Sequence, residues 1–227
     1  IQDLLKTPFL KKNSYNIVHQ DSPDNRGIDC ALLFDNTFDL IKTDFIEIKI
    51  PNSERPTRDI VYAKLKIKND IEGIYNYVHV FVNHWPSRWG GKKETEYKRL
   101  ITAQRLKNYI KQNIKKNEHI LIMGDLNDTP FDKSVKNTLV KNDFVNLMNN
   151  PMVTGKGSYN YNGKWSFIDQ IIVSKSLIDG DFKVETCDVL IEDWLLYMDK
   201  NGIQKPNRTY GRTNWYGGFS DHLPIIF

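Results

Sequence analysis

A chain of 227 residues with 40% hydrophobic and 12% aromatic side chains can bury a sizeable core, which excludes wholesale disorder. No stretch approaches the ~18 uninterrupted apolar residues of a membrane span, so a soluble protein without a transmembrane segment is expected. The 32 basic and 28 acidic side chains leave a net charge of +4, which suits an anionic substrate but falls short of a dedicated nucleic-acid coat.

No charged-then-apolar leader opens the chain, and it starts at Ile1 rather than Met, which fits a processed or trimmed N-terminus. The compartment stays open, an exported form included. Cys30 and Cys187 sit in apolar strand-like runs at 28–34 and 184–191 and read as buried thiols rather than a disulfide, because a core this size needs no staple. No repeat, low-complexity tract or linker appears, so a single domain over 1–227 is expected.

In chain order, residues 74–83 (IYNYVHVFVN) are rich in β-branched and aromatic residues and predict a strand. A loop follows at 85–91. Tyr97, Leu100, Ala103, Leu106, Ile110 and Ile114 then recur at the spacing of one face of an amphipathic helix. Lys98, Arg99, Arg105, Lys107 and Lys111 read as its solvated face, with a nucleic-acid stripe as the sharper alternative. Residues 119–123 (HILIM) predict a buried strand ending at Gly124, which makes a β-α-β unit of the stretch. Further strands are predicted at 167–174, 182–191 and 223–227, with tight turns at Asn162-Gly163 and Asn201-Gly202.

Four polar clusters interrupt these apolar runs. Val78, Val80 and Val82 alternate onto one strand face and His84 continues it, at the head of Asn83-His84-Trp85-Pro86-Ser87-Arg88. A lone histidine there also reads as a satisfied rim residue. In Gly124-Asp125-Leu126-Asn127-Asp128 the carboxylate and carboxamide two residues apart point the same way in extended chain. They could bind a hard cation and a phosphate oxygen, or form an Asx-rich turn. Alternation puts Asp169 on the face of Phe167, Ile171 and Val173, where a carboxylate needs a partner such as a histidine or a metal. Ser220-Asp221-His222-Leu223-Pro224 sets a cation ligand and a titratable base at the mouth of the last strand.

Together, Gly-Asp-x-Asn, then Ile-Asp, then Ser-Asp-His-x-Pro, in that order, resemble the endonuclease/exonuclease/phosphatase (DNase I-like) superfamily. Its bacterial branch is suggested by residues 24–33, with their Arg26-Gly27-Ile28 and Ala31-Leu32-Leu33, by residues 83–88 and by the spacing Trp165-x-x-Ile168-Asp169. The resemblance covers nearly the whole chain. It implies an α/β (α+β) fold, a four-layer α/β/β/α sandwich of two packed mixed β-sheets, with the site where strand ends converge.

The implied activity is metal-dependent hydrolysis of phosphate esters, most simply by a phosphodiesterase or nuclease. By resemblance, His222 is the base for the attacking water, Asp169 holds its imidazole, and His84 donates to a phosphoryl oxygen. Asp125 and Asn127 sit by the nucleophile and the phosphate. Asp221, with Asp125, binds a divalent ion, Mg²⁺ or Mn²⁺, since no Cys/His cluster suggests zinc. Arg88 and Arg58 are candidate phosphate contacts, and either could be a surface guanidinium. Trp215, Tyr216 and Phe219 could stack on a base or sugar, or pack their loop; Trp89 is a weaker candidate of the same kind.

The substrate stays open between DNA or RNA and the phosphomonoesterase or lipid-headgroup readings (inositol phosphate or sphingomyelin type). A catalytically inactive binding relative is the alternative from another class, and a monomer is expected. The family's early strands, bearing an Asn and a metal-binding Glu, are not visible. Ile1-Gln2-Asp3-Leu4-Leu5 resembles the helix after the Glu strand, and Glu47, Glu54 and Glu72 occupy no equivalent place. The domain is therefore expected to lack its N-terminal strands, with that Glu upstream.

Overall fold

In the computed structural model, which describes residues 2–53, 55–68, 77–149, 157–179, 187–211 and 213–227, the chain begins with two single-turn helices. These are α1 (Gln2–Leu5) and α2 (Pro8–Lys11). Five strands follow: β1 (Asn16–His19), β2 (Ala31–Phe34), β3 (Phe38–Ile46), β4 (Ile60–Ile67) and β5 (Tyr77–His84). The long helix α3 (Glu96–Asn113) leads to β6 (His119–Asp125), a π-helical segment at Ser134–Val140 and β7 (Phe144–Asn146). Next come the hairpin β8 (Tyr159–Tyr161) and β9 (Lys164–Ser166), then β10 (Asp169–Ser174) and α4 (Lys175–Asp179). The remaining strands are short: β11 (Asp188–Val189), β12 (Leu196–Met198), β13 (Gln204–Pro206), β14 (Tyr210–Gly211), β15 (Asn214–Trp215) and β16 (Ile225–Ile226).

Six strands form one sheet in the order β3-β4-β5-β6-β10-β7. Every neighbouring pair is antiparallel except β5 and β6, which are parallel and joined through α3. That is the β-α-β unit expected from the sequence. β6 is covered on both sides, so it reads as an unbroken apolar run. Ile120 and Ile122 pack with Ala103, Leu106 and Tyr109 of α3, while Leu121 and Met123 face the opposite way. On that second side, Val18, Leu32 and Phe34 of the β1–β2 pair pack on Val61, Ala63, Leu65 and Val80. The strand layer there comes as two separate pairs among the described residues, β1–β2 and β11–β16. Leu106 is fully buried, and Leu106→Ala is expected to destabilise the protein by about 2–5 kcal/mol, measurable by urea denaturation.

The buried face of α3 is rotated from the one its apolar spacing suggests. Tyr97 is exposed, whereas Arg99, assigned to the solvated face, is wholly buried. Its Nε lies 2.8 Å from Asp128 Oδ2, which also accepts from Ser134 Oγ at 2.6 Å. The guanidinium also donates to Thr95 Oγ1 at 2.9 Å and to the Lys92 carbonyl at 2.8 Å. A buried arginine needs such a shell, and none of its members is adjacent in sequence.

Predicted strands are shorter than their apolar runs: 167–174 pairs from Asp169, and 223–227 only at Ile225–Ile226. Parts of two predicted strands, 74–76 and 182–186, lie outside the described residues. Asn162-Gly163 turns the β8–β9 hairpin with φ of 50° and 82°. Both cysteines are free; Cys30 is buried, whereas Cys187 is only half-buried, with its thiol 3.1 Å from Met148 Sδ. No helix among the described residues is long and apolar enough to cross a membrane.

Candidate active site

Sheet register brings the site together. His84 at the end of β5 is level with Asp125 at the end of β6, and Asp125 is level with Asp169 at the start of β10. One position earlier, Asn83 is level with Gly124, whose φ is +122°; a Cβ there would lie 2.1 Å from the Asn83 carbonyl oxygen. Only glycine permits that approach, which holds the two strand ends in register.

His222 arrives from the other end of the chain. An isolated bridge pairs it with Tyr159, and the Leu223 N–H donates to the Ser158 carbonyl at 2.7 Å. Its Nδ1 is 2.7 Å from Asp169 Oδ2, and its ring centroid is 4.7 Å from that of Tyr159. Ser158, fully buried, donates its hydroxyl to the same Oδ2 at 2.5 Å. Asp169 thus has the histidine partner that its strand position demands.

Asp125 is held from Asn127, whose backbone N–H donates to Oδ1 at 2.7 Å and whose Nδ2 donates to Oδ2 at 3.2 Å. The same Nδ2 donates to the Trp85 carbonyl at 3.0 Å, so its donor capacity is used within the protein. Asn127 has φ of 50°, a conformation that asparagine tolerates. His84 Nε2 lies 3.4 Å from Asp125 Oδ2.

These contacts set the protonation states. Burial works against a charged His222, but its hydrogen bond to the Asp169 carboxylate and the charges of Asp169, Asp125 and Asp221 outweigh it, raising the imidazole to about 9. Burial, then the neighbouring Asp169 charge, pushes Asp125 above the ordinary carboxylate range. Burial and the positive charges of Arg58 and His222 lower His84 to about 4, so it is neutral at pH 7.

A cleft of about 910 Å³ opens over these groups, lined by His84, Arg88, Asp125, Asp169, Asp221 and His222 among others. Arg88 reaches it while its Nε donates to the Asn127 carbonyl at 2.6 Å and its guanidinium pairs with Asp132 at 3.4 Å. Arg58 does not line this cleft. It is buried, pairs with Asp24 at 2.7 Å, and donates to the carbonyls of His84 at 3.2 Å and Trp85 at 2.9 Å. Trp215 is also absent from the lining; it is exposed and packs edge-on against Tyr210. Sequence reasoning missed Ser158 and Tyr159, which follow a segment with no motif of its own.

As for a cation, Asp125, Asp169 and His222 each offer an atom, all within 4.8 Å of one another. Two half-buried carboxylates crowded enough to raise one of them form a donor set that a hard divalent ion satisfies. Asp221 stands outside this group and accepts from Arg208 at 3.0 Å.

The fold is shared with solved structures of low sequence identity. An endonuclease/exonuclease/phosphatase family protein from Bacteroides thetaiotaomicron matches at TM-score 0.62 and 15% identity, over 99% of this chain and 76% of that one. A mannosyl-6-phosphatase from the same organism matches at 0.59 and 16%, over 99% and 82%. The human nocturnin catalytic domain with bound sulfate matches at 0.55 and 16%, over 98% and 76%. At such identities the likeness shows the fold, which is DNase I-like. No curated protein matched the chain by sequence. The sequence model of the Endonuclease/Exonuclease/phosphatase family spans residues 1–227, and the chain belongs to that family.

Proposed function

We propose that this phosphoester hydrolase is a divalent-cation-dependent phosphodiesterase, acting on nucleic acid, in which His222 activates water for attack on phosphorus. The observation that carries this reading is the 2.7 Å contact between His222 Nδ1 and Asp169 in a cleft shared with Asp125 and His84. In the neutral ring, whose share grows as pH rises toward about 9, Nδ1–H is donated to the carboxylate and Nε2 is left as the lone-pair nitrogen that accepts a proton from water, so the rate is expected to climb between pH 7 and 9. Asp169 fixes the ring and balances the imidazolium that forms. Neutral His84 donates an N–H to a phosphoryl oxygen, and Arg88 adds positive charge on the same wall.

Asp125 would supply a carboxylate to the divalent ion, Mg²⁺ or Mn²⁺, which would neutralise charge on the phosphate; Asp221 lines the same cleft and would join it only by giving up its pairing with Arg208. Asn127 acts by orienting Asp125. Arg58 acts from behind, holding the backbone that carries His84, and is read as a positioning residue.

Turnover of bis-p-nitrophenyl phosphate in Mg²⁺ tests the proposal, with p-nitrophenyl phosphate run in parallel. Hydrolysis of the diester, lost in EDTA and restored by Mg²⁺, is the expected result. Turnover of the monoester alone would move the reading to a phosphomonoesterase, the activity named for the Bacteroides mannosyl-6-phosphatase. Ser158→Ala removes one hydrogen bond to the Asp169 carboxylate, so kcat should fall about 10-fold with KM unchanged, as steady-state kinetics would show.

A further inference from the structure

A second cleft, of about 540 Å³, lies beside the first and shares Arg26, Ser87 and Trp89 with it. Its wall carries Arg55, Thr57, Arg58 and Lys98, and its only carboxylate among the described residues is Asp24. That carboxylate is already neutralised from within, by Arg58 at 2.7 Å and Arg26 at 3.1 Å. Arg55 and Lys98 have no carboxylate partner among the described residues. Thr57, which is 7% exposed, lines the same cleft with a buried hydroxyl that has no hydrogen-bond partner among the described residues. A hollow with two cations that no carboxylate among the described residues neutralises, and with an unspent hydroxyl, is matched to an anion.

The ridge between the clefts is informative too. Trp89 lines both of them, is 77% exposed, and has the Arg55 guanidinium 5.2 Å from its ring centroid. An exposed indole of this kind costs solvation for no gain in core packing, whereas it offers a nucleobase a stacking surface backed by a cation. Small phosphorylated sugars or inositols have no aromatic face to use it.

We propose that the second cleft is a subsite for a single-stranded oligonucleotide: Arg55, Lys98 and Thr57 hold the phosphate next to the one in the catalytic cleft, and Trp89 stacks the intervening base. This rests on the phosphodiesterase reading above and extends it from the reacting group to the flanking nucleotide. Arg26 lines both clefts with its charge shared by Asp24, so Arg55 and Lys98 carry the attraction.

Binding of a fluorescently labelled single-stranded oligonucleotide, followed by anisotropy in EDTA across a salt series, tests the subsite without relying on turnover. Arg55→Ala with Lys98→Ala should weaken binding and flatten the plot of log Kd against log salt by about 0.7, the contribution of the one phosphate they share. Trp89→Ala should weaken binding with the salt slope kept, and Trp89→Phe should restore part of it. The Arg55→Ala, Lys98→Ala double variant, whose two positions lie outside the catalytic cleft, should hydrolyse bis-p-nitrophenyl phosphate as the wild type does. An unchanged affinity and slope in the double variant, or no binding by the wild type, overturns the subsite. A double variant that weakens binding beside a silent Trp89→Ala overturns the oligonucleotide assignment in favour of a small polyanion. Failure of the wild type to hydrolyse the diester is a separate result and bears on the catalytic reading alone.

Discussion

Replacing His222 with alanine is expected to lower kcat for a phosphodiester about 10²- to 10⁴-fold while KM stays nearly unchanged, the size of effect that general-base catalysis supplies. The expectation follows from geometry. Asp169 Oδ2 fixes Nδ1 at 2.7 Å, and Ser158 holds the same oxygen, so the ring presents its other nitrogen to the cleft in one orientation. Alanine removes the acceptor and leaves Asp169 with the serine hydroxyl as its side-chain partner. Added imidazole should restore part of the lost rate, because the space and the carboxylate both remain. Asp169→Asn should be nearly as damaging, since an amide can donate to Nδ1 and favour the wrong tautomer. Unchanged turnover in His222→Ala would remove the base assignment, and rescue by imidazole separates a lost base from a damaged fold.

The largest stability effect is expected at Asp24. Its side chain and that of Arg58 are 6% and 4% exposed, and their 2.7 Å ion pair supports the backbone that carries His84 and Trp85. Asp24→Asn would leave Arg58 buried without its counter-charge, a loss of about 3–5 kcal/mol, measurable by urea denaturation. Replacing both by apolar residues should cost less, because no charge is then stranded. Burial pushes the Asp24 carboxyl up, but hydrogen bonds from Arg26 and Arg58 overcome it and hold the group well below the usual carboxylate range. A depressed folded-state value stabilises the protein above the ordinary carboxylate pKa of about 4, and that contribution fades as pH falls. The gap between wild type and Asp24→Asn should therefore be full at pH 7 and narrow below about pH 4.

Much of this site was legible in the sequence because strand geometry is local. Alternation fixed which face carried His84 and Asp169, and the apolar run ending at Gly124 fixed where Asp125 would emerge. What alternation lacks is register across strands, and it is register that sets His84, Asp125 and Asp169 abreast. Arg99 shows the opposite case. A helix face read from apolar residues assigns every arginine to water, yet Asp128, Thr95 and Ser134 converge on this end of α3 and make burial affordable. The same limit applies to Arg58, whose partner Asp24 lies 34 residues away. Ser158 had no signal at all, since a serine donating to a distant carboxylate looks like any loop serine.

Hydrolysis of bis-p-nitrophenyl phosphate with Mg²⁺ in ¹⁸O-enriched water tests the central claim most directly. Attack of water on phosphorus predicts one solvent ¹⁸O in the p-nitrophenyl phosphate product and none in the released nitrophenol. Label in the nitrophenol, or no hydrolysis with Mg²⁺ present, would contradict the account.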